Sequence, residues 1–187
     1  NLYAALPQLT DNTLELAVRE LSFKEQSGID IRRLAFHFRA DRRKAVLSDF
    51  TLEMPASKLL IPSLTASYRH DGKNIIAATV KFDGTIEQSF VTPADMAFIL
   101  PSLHTFHDKL FIASSFSGTG TSVNIGSFVV NSPSGDINID TKGWYKKQGA
   151  RGLWYADVKH LGVSSKTIEF LSENLKGEKT EVPDVLR

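Results

Sequence analysis

Few side chains in this sequence could do chemistry, and their spacing decides what that chemistry would be. His104 and His107 stand three apart beside Asp108, an H-x-x-H arrangement that could hold a divalent metal. Zinc-binding helices place histidines at i and i+4 and recruit further ligands at set distances, and no such ligands accompany this pair. The expectation is a surface loop. His37, His70 and His160 stand alone, with no serine nearby to build a nucleophilic triad. The segment 116-FSGTGTS-122 is glycine-rich but lacks the lysine and following helix of a phosphate-cradling loop, so it reads as a hairpin turn. Glycoside chemistry would need a pair of carboxylates whose positions the sequence does not assign, and Asp49, Asp83 and Asp136 sit in turn contexts where Asp is expected. There are no cysteines, which excludes disulfides, thiolate metal sites and cysteine nucleophiles. The expectation is a protein that is not an enzyme, with no metal and no cofactor.

Charge narrows the partners. The 22 Lys and Arg residues nearly balance 21 Asp and Glu, for a net charge of +1, and a nucleic-acid-binding domain normally carries a marked basic excess. The densest charge feature is 32-RRLAFHFRADRRK-44. Arg33, His37 and Arg39 alternate with Leu34, Phe36 and Phe38, so the two sets face opposite ways on one strand. The basic set is either a solvated face ending in a charged turn or a landing patch for phosphate headgroups, with Arg33 and Arg39 as its candidates. No apolar run approaches the ~20 residues of a membrane span, and no signal-peptide pattern opens the chain. The first residue is Asn1 rather than Met, and the chain is read as a piece of something longer.

The elements that must position these residues are mostly strands. Period-two alternation runs through Leu14, Leu16 and Val18; Leu34, Phe36 and Phe38; Phe50 and Leu52; and Leu59 and Ile61. It resumes through Leu64, Ala66 and Tyr68; Ala78, Val80 and Phe82; Leu110, Ile112 and Phe116; Phe128 and Val130; and Ile137 and Ile139. Turn signals at roughly 8–12-residue spacing predict an antiparallel meander. They fall at Asp41 to Lys44, Pro55 to Ser57, Asp71-Gly72, Asp83-Gly84, Gly118 to Gly120, Pro133 to Gly135, and Gly149 to Gly152. Two segments read as helices. In 92-TPADMAFILPSL-103, Thr92 suits an N-cap, Pro93 the first turn and Asp95 a capping carboxylate, with Met96, Ile99, Leu100 and Leu103 at helical spacing. In 164-SSKTIEFLSENLKG-177, Ile168, Leu171 and Leu175 share a face and Gly177 is the stop, ahead of a polar tail over 177–187. These helices either plug the sheet's end or gate entry to it. Trp144, Tyr145, Trp154 and Tyr155 could be core or rim, and an inward position is expected for both tryptophans.

The chain also repeats itself. The stretch 48-SDFTLEMPASKLLIPS-63 overlays 126-GSFVVNSPSGDINIDT-141 without a gap, at an offset of 128 − 50 = 78 residues. Phe50 then falls on Phe128, Leu52 on Val130, Leu59 on Ile137 and Ile61 on Ile139. The same offset carries Leu34, Phe38 and Leu47 onto Ile112, Phe116 and Ile125, and Ala66 onto Trp144. Residues 3–10 echo 97–104 around Pro7 and Pro101, as though the chain opened on the end of a helix. One quasi-repeat is placed at about 8–91 and a second at about 92–163, followed by the helix 164–176.

These residues carry a resemblance. The strings LSDFTLEMPASKLLIPSLTA (47–66), ADMAFILPSLHTFHDKLFIASSFSGT (94–119) and NIGSFVVNSPSGDINI (124–139) resemble the TamB family of the wider AsmA-like group of bacterial bridge proteins. The resemblance spans nearly the whole chain, although it lies in texture rather than in an invariant signature. It implies a periplasmic protein of Gram-negative bacteria, anchored in the inner membrane, whose curled β-sheet offers an apolar groove. It also implies phospholipid acyl chains as cargo, carried between the membranes, and an outer-membrane assembly barrel as a partner of other regions.

The expected architecture is therefore mainly β, a curved antiparallel sheet forming a taco-like open groove or a flattened barrel, with one or two short capping helices. The expected groove lining is Leu34, Phe36, Phe38, Phe50, Leu52, Leu59, Ile61, Phe116, Ile125, Phe128, Val130, Ile137 and Ile139. The alternative is a closed β-sandwich scaffold or adhesion module with no ligand. The isolated chain is expected to self-associate through its sheet edges.

Overall fold

Side chains that alternate between apolar and polar cannot satisfy a helix stripe, and the chain answers with strands almost throughout. The computed structural model describes residues 1–176 except Asp11, Ser27, Lys73 and Ala150, and the side chains of Gln88, Leu171 and residues 173–176 are also outside it. The tail expected over 177–187 lies outside the described residues, as do the side chains of Leu171 and Leu175.

The strands are β1 (Leu2–Leu9), β2 (Thr13–Lys24), β3 (Asp30–Asp41), β4 (Lys44–Glu53), β5 (Lys58–Ser67) and the short pair β6 (His70–Asp71) and β7 (Asn74–Ile75). They continue as β8 (Lys81–Val91), β9 (Leu110–Thr119), β10 (Ser122–Asn131), β11 (Ile137–Gln148) and β12 (Arg151–Val163), before helix α1 (Ser165–Lys176). All but β6 and β7 join one antiparallel sheet in the order β1-β2-β3-β4-β5-β8-β9-β10-β11-β12. This sheet is not closed: β1 and β12 are its two free edges. The fold is the open form of the expected groove, and neither a flattened barrel nor a closed sandwich.

Several local expectations are corrected. Residues 92–103 do not form an α-helix but two 3₁₀ turns, Pro93–Met96 and Pro101–Thr105. Leu100 precedes a proline and is extended (φ −130°, ψ 94°), which stops any helix there. Thr92 holds the N-cap position of the first turn but its side chain does not cap it: its hydroxyl donates to the Ala56 carbonyl (2.8 Å) and its amide to Ser57 Oγ (2.9 Å). Asp95 instead accepts from the Ala56 amide at 2.9 Å. The turn is thus stapled to the β4–β5 hairpin by polar groups that a free helix would have used on itself. Residues 3–9 are strand, not the end of a helix. Asp83-Gly84 lies inside β8 rather than in a turn. Ala78 and Val80 belong to a 3₁₀ turn and its end, not to a strand.

Asp49 (φ 55°) sits in a bulge of β4 between the pairs Phe38↔Leu47 and Ala35↔Thr51. Under the 78-residue shift the corresponding pairs are Phe116↔Ile125 and Ala113↔Val129, again with a bulge between them. The β3–β4 and β9–β10 ladders therefore share one register and one irregularity. Bulges also interrupt β2, β8 and β12, and each adds bend and twist to the sheet.

A small core lies at one margin of the sheet. Phe106, Val130 and Ile137 are buried there, packed by Leu110, Ile112, Phe128, Ile139 and Phe170. Helix α1 starts where Ser164 Oγ accepts the Thr167 amide (3.2 Å), and it lays Phe170 on Phe106 with ring centroids 5.1 Å apart.

Candidate functional site

Residues paired across antiparallel strands share a face, so the registers trace which side chains line up across the whole sheet. One row crosses all ten strands: Leu9, Leu14, Ala40, Ala45, Ala66, Phe82, Gly118, Val123, Tyr145 and Trp154. A second crosses nine: Leu16, Phe38, Leu47, Leu64, Gly84, Phe116, Ile125, Gly143 and Ala156.

A third row runs Ala4, Val18 and Phe36 to the Phe50 ring, whose centroid is 6.4 Å away, and on to Ile61. It resumes on β8 as Ile86, Ser114, Phe128, Thr141 and Val158. The fourth is Leu2, Leu21, Leu34, Leu52 and Leu59, resuming as Ser89, Ile112, Val130, Ile139 and Leu161. No side chain in the four rows is charged, and only Ser89, Ser114 and Thr141 are small and polar.

The opposite face is the polar one. Its row through Gln8, Glu15, Arg39, Val46, Thr65, Asp83, Ser117 and Asn124 carries charge and hydroxyls. The cross-strand ion pairs Lys24–Asp30 (3.1 Å), Lys58–Glu53 (3.0 Å) and Lys142–Asp157 (3.2 Å) also lie on it, as does the His37–Glu15 contact (2.9 Å). Two faces of opposite character normally mean that the apolar one is packed under another layer. Here it is not. Among the described residues only Val18, Met54, Pro93, Phe106, Val130 and Ile137 are buried apolar side chains. The rest of the apolar face is half-buried or exposed, with Ile125 at 36% and Trp154 at 75%.

The floor is smoothed by reciprocal pairs. Phe82 opposes Gly118 and Gly84 opposes Phe116, so each ring lies over bare backbone on the neighbouring strand. A Cβ at Gly84 would come within 2.9 Å of Phe116 Cζ, and one at Gly118 within 2.5 Å of Phe82 Cζ. Around Gly143, the side of the floor formed by Val123, Ile125, Phe128, Tyr145 and Ala156 holds an apolar slot of about 210 Å³.

No family model, curated protein or solved structure matches this chain.

The nominated lining residues fall on the apolar rows, except Ile137, which lies beyond them opposite Val163, and two qualifications apply. Val130 and Ile137 are sealed beneath Phe106 and Phe170, so they belong to the small core and not to the uncovered floor. The ungapped overlay also slips at the second hairpin: Leu52 pairs with Leu59, but Val130 pairs with Ile139, because six residues separate the pair Asn131↔Asn138 where four separate Glu53↔Lys58. A slip of two keeps the face, so Leu59 and Ile139 still share one row.

A slip of one does not, and it moves Trp144. The first strand of that overlay, β5, reverses its alternation between Ile61 and Leu64, whereas β11 alternates straight through. Tyr145 therefore takes the inward place beside Val123, and Trp144 stacks on Tyr155 (6.3 Å) on the polar face. Trp154 faces inward as expected.

The headgroup candidates lie where their alternation with Leu34, Phe36 and Phe38 put them, opposite the apolar rows. Arg33 pairs with Glu53 and Arg39 with Val46 on the polar face, away from the floor. His104 and His107 are exposed, with His104 Nδ1 bonded to the Pro101 carbonyl at 3.0 Å. The segment 116–122 is a hairpin, with Gly118 in β9 and the turn at 120–121.

The cations that do stand beside the floor were missed. Arg42 and Arg43 occupy the turn between Ala40 and Ala45, Arg69 follows β5, and Lys81 precedes Phe82. Only strand pairing brings them together. The sequence signal was the turn half of the basic run, Arg42 and Arg43, rather than its strand half.

Proposed function

We propose that this chain shields hydrocarbon chains along an uncovered β-sheet floor, without doing chemistry on them. The observation that carries the reading is the set of four uncharged rows, half-exposed, crossing the sheet from edge to edge. Nine inter-strand steps of ~4.8 Å make the floor ~43 Å long, well over the ~15 Å of one leaflet of a ~30 Å hydrocarbon core. Each methylene laid on it gains ~0.8 kcal/mol, so a dozen offer ~10 kcal/mol before ordering costs. Because no charge interrupts the rows, a chain can slide along them, and the floor by itself imposes no direction.

Resemblance to the TamB and AsmA-like family supports the same reading. In that setting the protein sits in the periplasm of a Gram-negative bacterium, held in the inner membrane. Its work is phospholipid transport between the membranes or assembly of outer-membrane proteins. Segment 93–105 and α1 cover one margin and act as a plug.

The test uses neighbouring positions on opposite faces. A photo-crosslinker at Ile125 in the full-length protein, expressed in a Gram-negative envelope, is expected to yield lipid adducts, and one at Asn124 none. Labelling that is equal at the two positions, or absent from both, sinks the reading in favour of a scaffold that holds no ligand.

A further inference from the structure

Beyond the floor, at the margin away from α1, Arg42, Arg43, Arg69 and Lys81 surround an open cleft of about 700 Å³ that no carboxylate lines. None of the four makes an ion pair among the described residues. The nearest acid, Asp41, is engaged: its Oδ1 accepts the Arg43 amide (2.6 Å) and the Lys44 amide (2.8 Å).

The cleft is held in shape. The Tyr68 amide donates to the Arg43 carbonyl (2.9 Å) and the Tyr68 hydroxyl to the Asp41 carbonyl (2.9 Å). His70 Nδ1 donates to the Arg42 carbonyl (2.8 Å), which leaves Nε2 without a partner among the described residues. The Arg69 amide is fixed by Thr79 Oγ1 (2.8 Å). Four cations gathered beside a single carboxylate, Asp41, which is near enough to feel the Arg43 charge, keep an excess of positive charge and repel one another. A bound anion removes that repulsion.

The cleft also adjoins the apolar floor. Ala40, Ala45, Ala66 and Phe82 form the outermost row, and each cation lies within one to three residues of it along the chain. An amphiphile whose tail lies on that row sets its polar end among the guanidinium groups, which match phosphate oxygens in paired hydrogen bonds.

We propose that this cleft binds the phosphate group of an anionic amphiphile whose hydrocarbon tail lies on the floor. The tail's place rests on the function proposed above, whereas the anion site rests on the cleft alone.

Three probes separate these. Monododecyl phosphate, the uncharged dodecyl maltoside and inorganic phosphate are titrated calorimetrically into the chain and into the Arg69→Ala/Lys81→Ala variant. The wild type is expected to bind the alkyl phosphate at least tenfold tighter than the maltoside. The variant is expected to lose that margin while holding the maltoside as before, and an Arg69→Lys variant to keep most of it. The margin also shrinks as salt is raised.

An alkyl phosphate affinity unchanged in the double variant overturns the proposal. If neither alkyl ligand binds while inorganic phosphate does, and binds less well to the variant, the floor reading fails and the cleft is a free-phosphate site. That result overturns the amphiphile assignment too.

Discussion

Ser89 is almost wholly buried and stands where the β5–β8 ladder is interrupted. Pro62, on the facing strand, has no amide to offer at that point. The Ser89 hydroxyl accepts the Leu60 amide at 2.8 Å and lies 3.1 Å from the Glu87 carbonyl, replacing bonds the ladder cannot make. Ser89→Ala leaves the Leu60 amide unpaired and is expected to cost about 1–3 kcal/mol by urea unfolding. A change within a few tenths would show that water serves equally well there. Gly84 is a second single-residue test. Its added Cβ would press on Phe116 Cζ (2.9 Å) and Leu64 Cδ1 (3.0 Å), so Gly84→Ala is expected to cost about 1–3 kcal/mol. Because the obstacle is a side chain, Phe116→Leu in the same chain should recover part of the loss, and strict additivity in that double-mutant cycle would contradict the ring-over-glycine packing.

At the scale of elements, the β3–β4 hairpin depends on Asp41. Amide hydrogen bonds from Arg43 and then Lys44 hold its carboxyl below the ordinary 3.8, with the charges of Arg39 and Arg43 helping. A lowered folded-state value means that the ionised carboxylate supports the turn above pH 3.8, and that the support is lost as pH falls through the depressed value. The Arg43 and Lys44 amide resonances are expected to stay fixed from neutral pH to roughly pH 5 and to move only in stronger acid. Movement near neutrality would assign the turn's stability elsewhere. Tyr68 reports on the same element: burial, reinforced by the Asp41 charge, pushes its phenol up, so it remains a hydrogen-bond donor at ordinary pH. The bulges act at this scale as well, interrupting the ladder at Asp49 and again in β10, where each adds local bend and twist.

For the whole molecule, the unprotected parts are the two edge strands. Leu2, Tyr3, Leu6 and Leu9 on β1, and Trp154, Val158 and Leu161 on β12, are exposed beside backbone groups with no strand partner. Sedimentation velocity is expected to show concentration-dependent self-association, weakened in Val158→Lys, where a charge sits in the middle of the edge. A sharp monomer across the concentration range would mean that the edges are hidden in some other way. On the proposed function, transfer of lipid is expected to fall at least tenfold in Ile125→Asp, which puts a carboxylate on the floor. It should stay near wild type in Arg33→Ala, whose side chain lies on the polar face. Equal loss in both variants would detach function from the floor.

The sequence by itself determined the strands apart from β1 and, within each unbroken stretch, which side chains share a face, because alternation is fixed by the covalent pleat. It also determined the start of α1 at Ser164 and most of the turns, where Asp, Gly and Pro act within a few residues of themselves. Only the tertiary structure decided how faces join from strand to strand. A bulge shifts the alternation by one residue and leaves no reliable mark in composition, so Trp144 and Tyr145 exchanged faces while Leu59 and Ile139 did not. The 92–103 segment failed for a related reason: Thr92 and Asp95 had partners in the β4–β5 hairpin that local spacing does not reveal. The basic cleft was out of reach as well, since Arg42 and Lys81 are remote along the chain and meet only because Ala40, Ala45, Ala66 and Phe82 pair in a line.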